Sequence, residues 1–223
     1  MNEPVVHPLT VRLHELGERT ARQVLALLDQ LDAGVLQLSQ VPELAAVLVK
    51  LGADQAAVMA VSELVQGMAE AGVPTGRLPS LSGVTAHSTL SGAETAAATV
   101  MAGPREQAAT RLARLARGAV ARAAQDARED TLQGSELVEG WTRGVDSTSC
   151  QLCVWWWRGG RVWPKEHHMP RHPGCTCVQV PKLVANLQGV SDYAYNDSAE
   201  RRELERRGAY LAAFGTDRRH NRK

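Results

Sequence analysis

The chain has 223 residues, 44% of them hydrophobic and 22% charged, with a formal net charge of +1. That length admits one large domain or two small ones. The near-neutral charge excludes a basic coat for nucleic acid spread over the whole molecule, and the hydrophobic fraction is that of a folded chain.

No stretch approaches the roughly 20 apolar residues of a membrane span, and residues 1–12 lack the basic-then-apolar layout of a signal peptide. The expectation is a protein held in the cytoplasm and away from membranes, where thiols stay reduced.

Residues 8–72 read as helices. Leu13, Leu16, Val24, Leu27, Leu28 and Leu31 recur at three- and four-residue intervals and form one apolar stripe. A second helix is expected from about Pro42 to Gly52, and a third from about Asp54 to Gly72. Residues 73–92, rich in Gly, Pro, Ser and Thr, read as a linker.

A helical pattern resumes near Ala93, breaks at Gly103-Pro104 and runs on to about Leu132. In its last part Leu112, Leu115, Ala116, Ala119, Ala123 and Ala127 share one face. Arg111, Arg114, Arg117, Arg122 and Arg128 fall mostly on the rest of the circumference. The alanine face suits close helix packing. The arginines read as a solvated charged face, or as a contact for phosphate or an acidic protein.

From Gly140 the composition changes, and residues 140–181 form a compact module. Of nine aromatic residues five are tryptophans, four of them between Trp155 and Trp163. The run from Trp155 to Trp163 reads as a β-hairpin turning at Gly159-Gly160, with Trp156 opposite Trp163 and Arg158 opposite Arg161. The tryptophans would supply the core of a module too small to build one otherwise.

All four cysteines lie within this module, as Cys150-x-x-Cys153 and His172-Pro173-x-Cys175-x-Cys177. Two close-spaced donor pairs joined by a loop match the needs of one tetrahedral zinc ion. The expected ligands are Cys150, Cys153, His172 and Cys175, with Cys177 as the alternative fourth. Four protein donors make such a site structural, because no position is left open for water. Two disulfides or free thiols are the other readings of the same cysteines.

Residues 201–223 carry eight Lys/Arg against three acids. This basic tail, within 182–223, offers Arg201, Arg202, Arg206, Arg207, Arg218 and Arg219 as contacts for DNA or an acidic partner, or is simply a solubilising arm. The fold class is thus α+β: a mostly helical N-terminal two-thirds (1–135), a small zinc-stapled hairpin module (140–181), and the tail.

The ordered run Gly140-Trp141-x-Arg143-x-x-Asp146, then Cys150-x-x-Cys153, Gly160 and Trp163, His172-Pro173-x-Cys175-x-Cys177 and Pro181 resembles the C-terminal motif of the Mu F-like minor head proteins of tailed bacteriophages. These are also called phage head morphogenesis proteins. The Trp155–Trp157 triplet and the His167-His168 pair lie outside that pattern. The resemblance implies a minor capsid component inside the virion at the portal vertex, met in the host cytoplasm during assembly. Its implied partners are the portal protein, major capsid or scaffold proteins, and packaged DNA. Its implied work is head assembly, genome packaging or DNA ejection, without enzymatic activity. On this resemblance Trp141, Arg143, Asp146, Gly160 and Pro173 are structural, and Arg143 and Asp146 form a buried ion pair or fix loops by hydrogen bonds.

Two other readings compete. A His-Asn-His-type nuclease would use His167-His168 with a divalent ion, but the stretch between Pro164 and Pro173 disfavours a continuous strand or helix there. A zinc-stapled DNA-binding regulator would need the Arg111–Arg128 helix for groove entry, where its alanine face suits packing instead.

Overall fold

The computed structural model describes residues 7–70, 80–86, 88–145 and 149–183. Asp146 and the arginines of the basic tail lie outside the described residues, as does the expected helix stop at Gly72.

Helix α1 spans Pro8–Asp32. His7 caps it, its Nδ1 accepting the Leu9 N–H at 3.3 Å, and Pro8 opens the first turn where its missing N–H costs nothing. The expected stripe is buried from Leu13 to Leu28, joined by Leu9.

After a short 3₁₀ turn (Leu38–Gln40), helix α2 runs unbroken over Val41–Glu70. The two helices expected on either side of Gly52 are therefore one. Gly52 is no stop signal: a Cβ there would lie 2.5 Å from Thr20 Oγ1, so the glycine lets α1 and α2 come together. Helix α2 packs against α1 and against the two long helices that follow, which is why it is apolar around its circumference. For the same reason Leu38–Glu70 reaches the length and hydropathy of a membrane span, contrary to the sequence expectation, while half of its apolar window is buried in the chain.

Within the expected linker a short helix α3 (Leu81–Val84) inserts Val84 into the core. Helix α4 covers Leu90–Met101, capped by Thr89 Oγ1 accepting the Gly92 N–H at 3.1 Å. The break at Gly103-Pro104 is present, and helix α5 follows over Arg105–Gln133. Its Leu112, Ala116, Ala123 and Ala127 are buried, as the alanine face required. Arg117 and Arg105 pair outward with Glu18 and Asp32. Arg128 departs from the solvated-face reading and is fully buried.

A three-stranded antiparallel sheet in the order β2-β1-β3 completes the fold, formed by β1 (Val138–Gly144), β2 (Trp163–Pro164) and β3 (Val178–Leu183). Trp141 faces Trp163, and Arg143 faces Gln179. Gly140 is dictated by this pairing, because a Cβ would fall 2.2 Å from the Trp163 carbonyl oxygen.

The expected hairpin over 155–163 is not formed. Gln151–Trp157 is a helix, α6, closed by Arg158, Gly159 and Gly160 at φ 48°, 67° and 88°. The two glycines do take positive φ, but they end a helical turn, with the Gly160 and Arg161 N–H groups donating to the Trp157 carbonyl. A helical turn at Cys150-x-x-Cys153 keeps both thiols on one side, which an alternating strand would not. Trp163 accordingly stacks on Trp141 at 6.1 Å rather than pairing with Trp156. Trp155 is 59% exposed and adds little to any core.

The sheet is buried against the helices. Val178 packs with Leu9, Leu13 and Val120, and Leu183 and Val138 pack with Leu64, Met68 and Leu132. In the loop before β3, Gln125 Nε2 donates to the Cys175 and Cys177 carbonyls, each at 2.9 Å, and on β3 itself Arg128 Nε donates to the Gln179 carbonyl at 2.6 Å. These side chains satisfy buried carbonyls that would otherwise be left bare.

Candidate metal centre

Five donors converge where α6 meets the loop before β3. Cys150 is the N-cap residue of α6 and Cys153 lies one turn on. His172 Nε2 lies 3.1 Å from Cys150 Sγ and 3.0 Å from Cys153 Sγ. Cys153 Sγ is 3.5 Å from Cys175 Sγ. The donors form two overlapping groups, Cys150–Cys153–His172 and Cys153–Cys175–Cys177, which share Cys153 and could hold a metal ion. No two of the cysteines are joined as a disulfide. All four expected ligands and the alternative, Cys177, are thus brought together.

The buried thiols of the cluster share protons among themselves. Cys175 is held far below the ordinary thiol range because the Cys153 and Cys177 thiols both donate to it. Cys153 is pushed far above that range, first by donating to Cys175, then by donating to Cys177 and by burial. A second thiolate here would lie against the first in a site closed to water, which is unfavourable unless a positive ion sits between them. At the exposed edge Cys150 is already lowered, first by the backbone N–H of Cys153. Soft thiolates with one imidazole suit zinc and similar late transition ions, not magnesium or calcium.

A surrounding shell fixes the donors. His172 Nδ1–H donates to the Pro173 carbonyl at 3.0 Å, which leaves Nε2 as the lone-pair nitrogen facing the thiols. Arg143 brings Nη1 to 3.8 Å from Cys175 Sγ, donates through Nη2 to the Pro170 carbonyl, and lies 5.2 Å over the Trp156 ring. Arg143 thus hydrogen-bonds the loop that leads to His172, while Asp146 lies outside the described residues. Trp141 donates Nε1–H to the His167 carbonyl at 2.9 Å, and the His167 ring stacks on Trp163 at 4.5 Å.

Helix α5 anchors the donor loop directly. Arg171 pairs with Asp126 and with the buried Glu129, and His168 Nδ1 lies 2.6 Å from Glu129 Oε1. Neither His167 nor His168 belongs to the metal-donor groups found among the described residues. Sequence reasoning passed over this set of supports on α5. The signal was there: Gln125, Arg128 and Glu129 interrupt an alanine-rich inner face at three- and four-residue spacing.

Comparison with protein-family models, curated proteins and solved structures finds no match for this chain.

Proposed function

We propose that this chain is a non-enzymatic minor head protein of a tailed bacteriophage, of the Mu F-like head morphogenesis type. It would sit inside the capsid at the portal vertex and serve head assembly, genome packaging or DNA delivery. The observation that carries this reading is the convergence of the motif on one centre. Arg143 on β1, the Cys150-x-x-Cys153 turn of α6 and the His172 to Cys177 segment lie far apart in sequence, yet they meet at one cluster of donors, while Trp141 holds the His167 carbonyl beside it.

The ion in that reading is structural zinc, held by Cys150, Cys153, His172 and Cys175. His172 Nε2 lies 3.0–3.1 Å from the Cys150 and Cys153 thiols, and Cys153 lies 3.5 Å from Cys175. These separations fall somewhat inside the edges of about 3.5–3.8 Å of a tetrahedron with Zn–S of about 2.3 Å and Zn–N of about 2.0 Å. An ion would push the donors slightly apart and draw Cys175 toward the Cys150–Cys153–His172 group. Three thiolates and one imidazole around a divalent ion leave one negative charge, and Arg143 beside Cys175 balances it. Cys177 remains the alternative fourth ligand. With every position taken by protein, zinc would staple α6 to the loop before β3 and supply no reaction chemistry.

Cross-linking mass spectrometry on purified procapsids of the source phage tests the assembly role. Cross-links from residues 1–135 to the portal protein are expected. Particles that lack the protein would refute it.

A further inference from the structure

Helix α5 carries six arginines, and they divide cleanly. Arg105, Arg117 and Arg128 each pair with an acid of the same chain. Arg111, Arg114 and Arg122 are exposed and have no ion-pair partner among the described residues. All three line one groove of about 510 Å³ between α2, α4 and α5. The groove's other cation, Lys50, is already paired with Asp54 at 2.6 Å.

The floor of the groove is apolar and low, made by Val49, Ala93, Ala96, Val100, Leu115 and Ala119. Gly118 lies among them in mid-helix, and a Cβ added there would meet nothing within 4 Å among the described residues. A glycine inside a helix costs about 1 kcal/mol relative to alanine. No described residue packs against that position, so the groove surface stays low there.

We propose that this groove docks an acidic helix of a partner protein. Small residues on the floor allow another helix to lie close, as they do where Gly52 meets Thr20. From Arg111 to Arg122 the charged rim runs about 16 Å at 1.5 Å per residue, or three helical turns. Glutamates or aspartates along such a helix would meet the unpaired guanidiniums, while its small apolar face covers the floor. A nucleic-acid duplex fits less well, because it would leave the apolar floor against phosphate. Pro173 and Gly174 also line the groove, so the occupant would touch the turn that carries His172. The inference stands on the groove residues alone and does not depend on the virion reading.

The test uses the full chain, metal-loaded, with a fluorescein-labelled peptide of about 16 residues that has an alanine/leucine face flanked by glutamates. Fluorescence anisotropy at low salt should show saturable binding that weakens as salt rises. Arg111→Gln/Arg114→Gln/Arg122→Gln should weaken it roughly tenfold, the sum expected for three exposed ion pairs. Gly118→Leu should weaken it more than about tenfold by filling the groove, and it should fold normally because leucine is the better helix former. Far-UV circular dichroism and metal content check that both variants stay intact. A peptide with lysine in place of glutamate should not bind. The proposal is overturned if the acidic peptide does not bind, or if Gly118→Leu binds it as the parent does. It is also overturned if a DNA duplex binds more tightly with the same arginine dependence, which would make the groove a phosphate site.

Discussion

Replacing Arg128 by methionine should destabilise the protein far more than any other arginine change on α5. Arg128 is 0% exposed. Its Nε donates to the Gln179 carbonyl at 2.6 Å, and Nη1 donates to the Ala60 carbonyl at 3.1 Å and to Glu63 at 2.5 Å. One side chain therefore ties α5 to α2 and to β3. Methionine fills most of the same volume, so the loss is polar rather than a cavity. Removing one partner of a buried ion pair costs about 3–5 kcal/mol, because the other charge is left without compensation. The orphaned carbonyls overlap with that penalty rather than add to it. Nη2 is buried with no partner among the described residues, which offsets part of the gain and favours the lower end, about 3 kcal/mol. For a chain of this size that is a fall in Tm of about 6–12 °C. Urea unfolding followed by far-UV circular dichroism measures it, with a matching Arg122→Met control expected within about 0.5 kcal/mol of the parent. Arg128→Met/Glu63→Leu should recover much of the loss, since an apolar pair avoids the stranded carboxylate. If Arg128→Met alone stays within about 1 kcal/mol of the parent, the tie between α5, α2 and β3 contributes little and the reasoning is wrong.

Burial, then the charge of Arg128, lowers the pKa of His7 from 6.5 to about 4, against the opposing pull of Glu63. Between those values the unfolded chain binds a proton that the folded chain does not. The His7 contribution is therefore complete above pH 6.5 and is lost as pH falls toward 4, by up to about 3 kcal/mol. His7→Asn keeps a capping acceptor but does not titrate, so the stability difference between parent and variant should change with pH across that window, and a constant difference would refute the assignment. Gly52→Ala should destabilise by about 1–2 kcal/mol through its clash with Thr20, and by clearly less in a Thr20→Ala background, where only the residue-20 Cβ, at 3.2 Å, still crowds the new methyl. Thermal unfolding of the double-mutant cycle reads that coupling, and additive effects would contradict the close approach. Elemental analysis should find one zinc per chain in the parent and in Cys177→Ser, and none in Cys153→Ser. Retained zinc in Cys153→Ser would show that the shared donor is misassigned.

The long helices and the donor set were legible because each has a local cause. A stripe at three- and four-residue spacing needs only its own segment to declare a helix, and Cys-x-x-Cys with His-Pro-x-Cys-x-Cys needs only its own spacing to declare a chelating cluster. What failed were residues with two local meanings. Gly52 signals a helix stop, a close approach or a flexible point with the same letter, and only Thr20, thirty-two positions away, decides. Gly159-Gly160 marks a place for positive φ, but positive φ serves a hairpin turn and a helix end equally well. Here they end helix α6, whose first turn sets Cys150 and Cys153 on one side.

The sequence by itself determined that the N-terminal two-thirds would be helical, that α5 would bury an alanine face, and that one compact region near the C-terminal end could hold a metal ion. Those properties follow from periodicity and spacing within short windows. Only the tertiary structure decided that Arg128 is a buried tie and not a surface charge, that β3 and the loop before it lean on Arg128 and Gln125, and that three arginines have no ion-pair partner among the described residues beside an open groove. An arginine looks the same in sequence whether it meets water, a carboxylate or a backbone carbonyl. Its role depends on which distant segments arrive beside it, and that is settled by how the helices pack.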